Sequence, residues 1–301
     1  MSSGNLSPKQ VARAIGVSES SLKRWCDRGL IATIRTAGGH RRIDVAALLS
    51  FLRETGHELA HPEVLGLPAV SGSGERTWAR SRERFLDALL SGDEPLARQV
   101  VIDLFVSGQS IASLADLLLH PTLEEIGRQW GCGSAEVYQE RRACEICNRV
   151  LFELREALRE PADAAPLAIG GTPSGDPYRL PTAIAELVLR ESGWRAVSLG
   201  SNLPFATLAA AIATHAPRLL WLSVSHLEDA AGFISAYQQF YSALSPRPAI
   251  VLGGAALSER IRKELTYAAF CDNMRQLVAF VESLGLVAPT NKLRLHDGDV
   301  A

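Results

Sequence analysis

Apolar positions along this chain change period twice. Near the N-terminus Val11, Ala12 and Ile15 share one face, Gly16-Val17 makes a turn, and Leu22, Trp25 and Cys26 recur at helical spacing. Ser7-Pro8-Lys9-Gln10 reads as a capping box with Pro at the first helical position. Ser18 can cap a second helix, with Glu19 in its first turn where the helix dipole favours a carboxylate. Gly29 stops that helix, and Ser20, Ser21, Lys23 and Arg24 are left on its outer face. The apolar segments Ile31–Ile34 and Ile43–Val45 predict two strands, with Thr36–Arg42 between them as a hairpin tip. Gly38 and Gly39 are expected to supply its positive-φ turn. Asp44 can cap a third helix running through Arg53.

Residues 57–75 show no clean period and are rich in Gly, Pro, Ser and His, as a linker is. From residue 76 the pattern is helical over 76–91, 94–107, 110–131 and 134–160, with Asp93 and Ser134 as N-caps and a bend at Pro121. Loops this short favour antiparallel neighbours, hence a four-helix bundle. Beyond Ala162 the runs Leu167–Ile169, Ala196–Leu199, Leu219–Val224 and Ala249–Leu252 read as buried strands. They alternate with helices over 179–192, 204–215, 228–243 and 257–267, and a last helix spans 273–284. This predicts a doubly wound parallel sheet, whose ligands sit at the carboxyl ends of the strands. The fold expected is a multidomain α and α/β protein: head 1–56, linker 57–75, bundle 76–160, Rossmann-like domain 161–288 and a disordered tail 289–301.

Charge separates the two ends. Residues 1–60 hold nine Lys and Arg against five Asp and Glu, a balance of +4, and the rest of the chain balances at −6. A basic head on an acidic body points to double-stranded DNA as a partner at one end. Helix, tight turn, helix and basic hairpin form a winged helix-turn-helix, in which the second helix enters the major groove and the wing holds the backbone. The expected DNA-binding set is Ser18, Ser20, Ser21, Lys23, Arg24, Arg35, Thr36, Gly38, Gly39, His40, Arg41 and Arg42. No apolar run approaches the ~18 residues that a membrane span needs. The start of the chain has no signal-peptide pattern, so a cytoplasmic location and reduced thiols are expected of the five Cys.

The stretch from Leu6 to Ile43 resembles the DNA-binding head of the MerR superfamily. Arg24-Trp25-Cys26-Asp27-Arg28-Gly29-Leu30-Ile31, followed by Arg35-Thr36 and Gly38-Gly39-His40-Arg41-Arg42, is most similar to its BldC and excisionase-type branch. The order of parts as a whole resembles the cobalamin-binding photoreceptor repressors of the CarH and LitR type. In that family the Rossmann-like domain carries Asp-x-His-x-x-Gly, then Ser-x-Leu, then Gly-Gly. The matching positions here are Asp176-Pro177-Tyr178-Arg179-Leu180-Pro181, Ser223-Val224-Ser225 and Gly253-Gly254. The bundle match is Trp130 for the Trp over the upper face of cobalamin and Glu140 for the Glu of a Glu-His pair, with Arg141 at the His position. The resemblance implies a cofactor site made of Trp130, Glu140, Arg141, Asp176, Tyr178, Arg179, Ser223, Ser225, Gly253 and Gly254. It also implies a homo-oligomeric repressor controlled by ligand or light.

Two positions depart from the pattern. Tyr178 replaces the His that ligates cobalt from below, and a neutral phenol with a pKa near ~10 is a poor cobalt ligand. Pro181 replaces the Gly where the backbone passes close to the nucleotide tail, and removes a donor. Three readings of the cofactor therefore stand open: cobalamin without a His lower ligand, another tetrapyrrole, or none, with the domain serving assembly or docking of a regulatory protein.

Cys132, Cys144 and Cys147 suggest a metal or redox sensor, but Cys144 and Cys147 lie at i, i+3 and can simply face a bundle core. No metal site is assigned, because no second Cys or His pair has zinc spacing. His226 follows the Ser-x-Ser loop and could reach a ligand, whereas Trp194 and Trp221 read as core. The loop 170–175 lacks both the dinucleotide-binding and P-loop patterns, and no nucleophile–base pair is visible, so the chain is not expected to be an enzyme.

Overall fold

A computed structural model describes residues 6–55, 57, 60–61, 64 and 75–286. Most of the linker expected over 57–75, and all of the tail expected over 289–301, lie outside the described residues. The chain forms two compact units: one holds the residues up to Ser110 with Leu117–Arg159, the other Ile111–Asp116 with the chain from Glu160.

The first unit begins with α1 (Pro8–Ile15) and α2 (Glu19–Asp27), followed by a hairpin of β1 (Ile34–Arg35) and β2 (Arg41–Arg42), and α3 (Val45–Thr55). The predicted caps form. Gln10 N–H donates to Ser7 Oγ at 3.3 Å, Ser7 N–H donates to Gln10 Oε1 at 2.9 Å, and Ser21 N–H donates to Ser18 Oγ at 3.0 Å. The strands are shorter than predicted and lie closer to the tip, because Arg41 and Arg42 themselves pair with Arg35 and Ile34 while Ile43 bridges to Leu6. At the tip only Gly39, at φ +76°, takes the left-handed conformation; Gly38 does not.

The bundle comprises α4 (Glu75–Ser91), α5 (Glu94–Val106), α7 (His120–Gly131) and α8 (Val137–Ala157). Its core includes Phe85, Leu89, Val101, Phe105, Ile146 and Leu154, all nearly inaccessible. The 110–131 segment is helical without a break over 111–131: α6 (Ile111–Leu114) runs through a π turn over Ala115–Leu119 into α7, and Pro121 lies just beyond that turn. Asp93 caps α5 as expected, but the N-cap of α8 is Glu136 rather than Ser134. The head is not a separate body. Its α3 packs on α5 and α8, and the half-buried Arg53 lies 4.3 Å from the Phe105 ring centre and donates to the Gln109 carbonyl at 3.0 Å. Burial pushes the Arg53 pKa down to about 10.

The second unit contains β3 (Leu167–Gly171), α9 (Leu180–Glu191), β4 (Arg195–Ser198), α10 (Phe205–His215), β5 (Leu219–Ser223), α11 (Ala230–Ala243), β6 (Ala249–Gly253), α12 (Glu259–Arg262), β7 (Ala269–Cys271) and α13 (Met274–Ser283). The sheet is entirely parallel in the order β4-β3-β5-β6-β7. It has five strands where the apolar runs showed four. The helix expected over 257–267 ends at Arg262, and the short edge strand β7 follows, too brief to stand out by period. Leu220, Leu222 and Val224 pack with Leu208, Phe233 and Tyr237 on one face. The other face takes α9, and α13 and α6 pack on that helix. Asp116 secures this unit, accepting the Met274 and Arg275 N–H groups at 2.8 and 3.1 Å at the start of α13.

Candidate nucleic-acid interface and the carboxyl edge of the sheet

In the head, α2 buries Ser21, Leu22, Trp25 and Cys26, and Trp25 packs against Phe51 with ring centres 5.1 Å apart. This leaves Ser18, Glu19, Ser20, Lys23 and Arg24 exposed. Ser21 was expected among the outward groups but is 5% exposed. Its hydroxyl lies 2.9 Å from Ser18 Oγ and accepts from Arg24 Nη2 at 3.3 Å, so it supports the helix start instead of facing a base. The reason is angular: position 21 lies on the same stripe as Leu22 and Trp25.

The wing exposes Arg35, Thr36, Gly38, Gly39 and His40. Thr36 Oγ1 accepts the His40 N–H at 3.2 Å and closes the tip. Arg41, expected to fork onto phosphate, is turned back to α2. Its Nη2 donates to Asp27 Oδ1 at 2.6 Å and its Nη1 to the Lys23 carbonyl at 3.4 Å. The Asp27 carboxylate raises the Arg41 pKa further. Arg41 therefore ties the wing to the recognition helix, and Arg35 and His40 carry the outward polar surface of the tip. Arg42 is half-buried in the strand pair.

The bundle residues matched to the cofactor site differ in availability. Trp130, at the end of α7, is 52% exposed, and Val137 and Tyr138 at the start of α8 are exposed as well. Glu140 pairs with Arg141 at 3.3 Å and accepts from Cys144 Sγ at 3.6 Å. Burial raises the Cys144 pKa to about 11 and pushes the Cys147 thiol up as well, deep in the core. Cys132 is exposed, and the Ser134 hydroxyl beside it lowers its pKa. Among the described residues, no group of three or more His, Cys, Asp or Glu side chains could hold a metal ion.

In the second unit, the strand order reverses between β3 and β5, and there the loops after those two strands meet. Asp176 joins them. Its Oδ2 accepts Ser225 N–H at 2.6 Å and His226 N–H at 3.3 Å, and its Oδ1 accepts Tyr178 N–H at 3.0 Å. The carboxylate is wholly buried and is consumed by its own backbone, a network no spacing argument could reveal. Tyr178 is half-buried, its ring 6.4 Å from that of His226 in an edge-on arrangement, and Arg179 is exposed. His226 is half-exposed, its Nε2 3.8 Å from Glu228 Oε1. Ser223 is buried opposite Gly253, and Ser225 is half-buried. Gly254, at φ +111°, lies so close to the Val224 backbone that a Cβ would collide with it. That glycine is needed by the chain itself, whatever a ligand requires.

Two family models match the chain: a helix-turn-helix domain over residues 6–56 and a B12 binding domain over residues 81–155. The chain is 27% identical over 281 residues to the HTH-type transcriptional repressor CarA of Myxococcus xanthus, covering 90% of this chain and 94% of that one. It is 26% identical over 263 residues to the repressor CarH of the same organism, covering 81% and 87%. The monomethylamine corrinoid protein of Methanosarcina barkeri has the same fold over 68% of this chain and 99% of its own, with a TM-score of 0.58 at 16% identity. The chain is thus a helix-turn-helix regulator with a cobalamin-binding-type domain. The matched B12 binding segment ends before the α/β domain, and at the positions there that the resemblance assigns to cobalamin stand the Tyr178 phenol, an Asp176 carboxylate engaged by backbone N–H groups, and Pro181 in the first turn of α9, none of which suits cobalamin held from below by an imidazole.

Proposed function

We propose that this protein is a DNA-binding transcriptional repressor whose bundle and α/β domain control how its heads are assembled on the operator. The carrying observation is the exposed polar face of α2 beside a wing locked to it by Arg41 and Asp27. Likeness to the CarA and CarH repressors over most of the chain supports the same reading. Two or more copies would place heads on tandem or palindromic half-sites, with Lys23, Arg24 and Arg35 meeting phosphates and Ser20 and Arg24 within reach of base edges. The exposed Trp130, Val137 and Tyr138 supply an apolar surface suited to a flat ligand or a second copy. A ligand controls assembly only if it binds one assembly state more tightly than the other.

The test is a gel-shift titration on the protein's own upstream DNA across a salt series, with unrelated DNA as competitor. Specific retention with a steep salt slope is expected; equal affinity for all DNA would remove the operator. Gel filtration in dark and light, with and without added cobalamin, tests the control module, and an unchanged elution volume throughout would leave a constitutive assembly.

A further inference from the structure

The face of the parallel sheet turned to α9 is built mostly from small residues on β3 and β4. In register across the strands stand Ala196, Ala168, Leu219 and Ala249, then Ser198, Gly170, Trp221 and Val251, then Ser223 and Gly253. One large aromatic side chain rises among them. Trp221 of β5 faces α9 two residues before Ser223, and is 2% exposed. Its Nε1–H donates to Thr182 Oγ1 at 2.9 Å, and Thr182 Oγ1 lies 3.2 Å from Ser198 Oγ. Thr182 follows Pro181 in the first turn of α9. The indole also covers Gly170 so closely that a Cβ there would collide with the ring. The hollow that these small residues would otherwise leave beneath α9 is therefore filled, and its one polar atom is satisfied.

An indole and a benzimidazole are planar bicycles of nearly the same size. We propose that Trp221 occupies the slot between the sheet and α9 that a planar bicyclic base would enter, making this domain filled from within and closed to the nucleotide tail of cobalamin. Gly170 supplies the floor, and Thr182 the acceptor that a ring N–H requires. The inference rests on the α/β domain alone and not on the repressor reading.

The full-length chain and Trp221→Ala are compared by thermal melting with and without millimolar 5,6-dimethylbenzimidazole or indole, and by equilibrium dialysis against hydroxocobalamin. Removing so large a buried ring leaves a cavity and is expected to lower Tm by ~10 °C. Base or indole should then raise the variant's Tm by about 2 °C and leave the wild type unmoved. Only the variant should acquire affinity for hydroxocobalamin or its isolated base. Retention of hydroxocobalamin by the wild type with its base displaced from cobalt and held by the protein would overturn the proposal. So would a folded variant that neither base nor indole stabilises. Should Trp221→Ala not fold, Trp221→Leu is melted with the same two compounds, and the wild-type dialysis decides independently. DNA binding by the wild type, measured in parallel, separates failure here from failure of the repressor assignment.

Discussion

The exposed face of α2 and the carboxyl edge of the parallel sheet both collect polar side chains where a helix begins, and they use them in opposite ways. On α2, burial of Leu22, Trp25 and Cys26 leaves Ser20, Lys23 and Arg24 facing outward. At the sheet edge the polar groups turn inward. Asp176 takes three backbone N–H groups, and Thr182 takes the Trp221 indole N–H. A surface that must meet a polyanion gains nothing from satisfying its donors internally, whereas a loop cluster that closes on itself becomes rigid by doing so. The lesson is that polar and glycine positions at a sheet edge can serve the architecture itself: Asp176 and Gly254 hold the loops together through the chain's own backbone.

The largest expected effect breaks the sheet-edge network. Asp176→Ala removes a buried carboxylate and strands the three N–H groups it accepts, and should cost about 3 kcal/mol in chemical denaturation. A loss under 1 kcal/mol would mean that the network is not what closes these loops.

A second carboxylate sharpens the contrast. Asp103 in α5 is 7% exposed, and burial pushes its pKa to about 7, opposed only by the charge of Arg84. A carboxyl group whose folded pKa is raised contributes stability below its ordinary value of 3.8, and that contribution is lost as pH rises through about 7. Asp103→Asn should therefore match the wild type near pH 4 and exceed it at pH 8 by on the order of 3 kcal/mol. Parallel pH profiles would remove the assignment.

On the head, Arg24→Ala should weaken operator binding by about tenfold and reduce the salt slope by about one. Arg41→Ala and Asp27→Asn separate positioning from direct contact. If Arg41 only holds the wing, both weaken binding by roughly threefold to tenfold with little change in salt slope. If Asp27→Asn tightens binding instead, the released guanidinium reaches phosphate. The smallest effect concerns thiols: Cys132 should react first with iodoacetamide near pH 8, and Cys147 only after unfolding. Equal rates would show that the bundle core opens readily.

What the residues determined alone was local. Ser7, Ser18 and Asp93 cap helices because each lies three positions from the N–H it accepts. Alternating apolar runs and helical stretches determined the α/β class, and a basic head on an acidic body indicated which end meets DNA. What only the tertiary structure decided involves partners distant along the chain. Arg41 finds Asp27 fourteen residues away, Thr182 receives Trp221 from thirty-nine away, and Asp176 receives Ser225 from forty-nine away. β7 is a strand because the edge of β6 is there to pair with it. Periodicity and capping reach only a few residues, so they predict that a polar side chain is present but not whether it meets solvent, DNA or another part of its own fold.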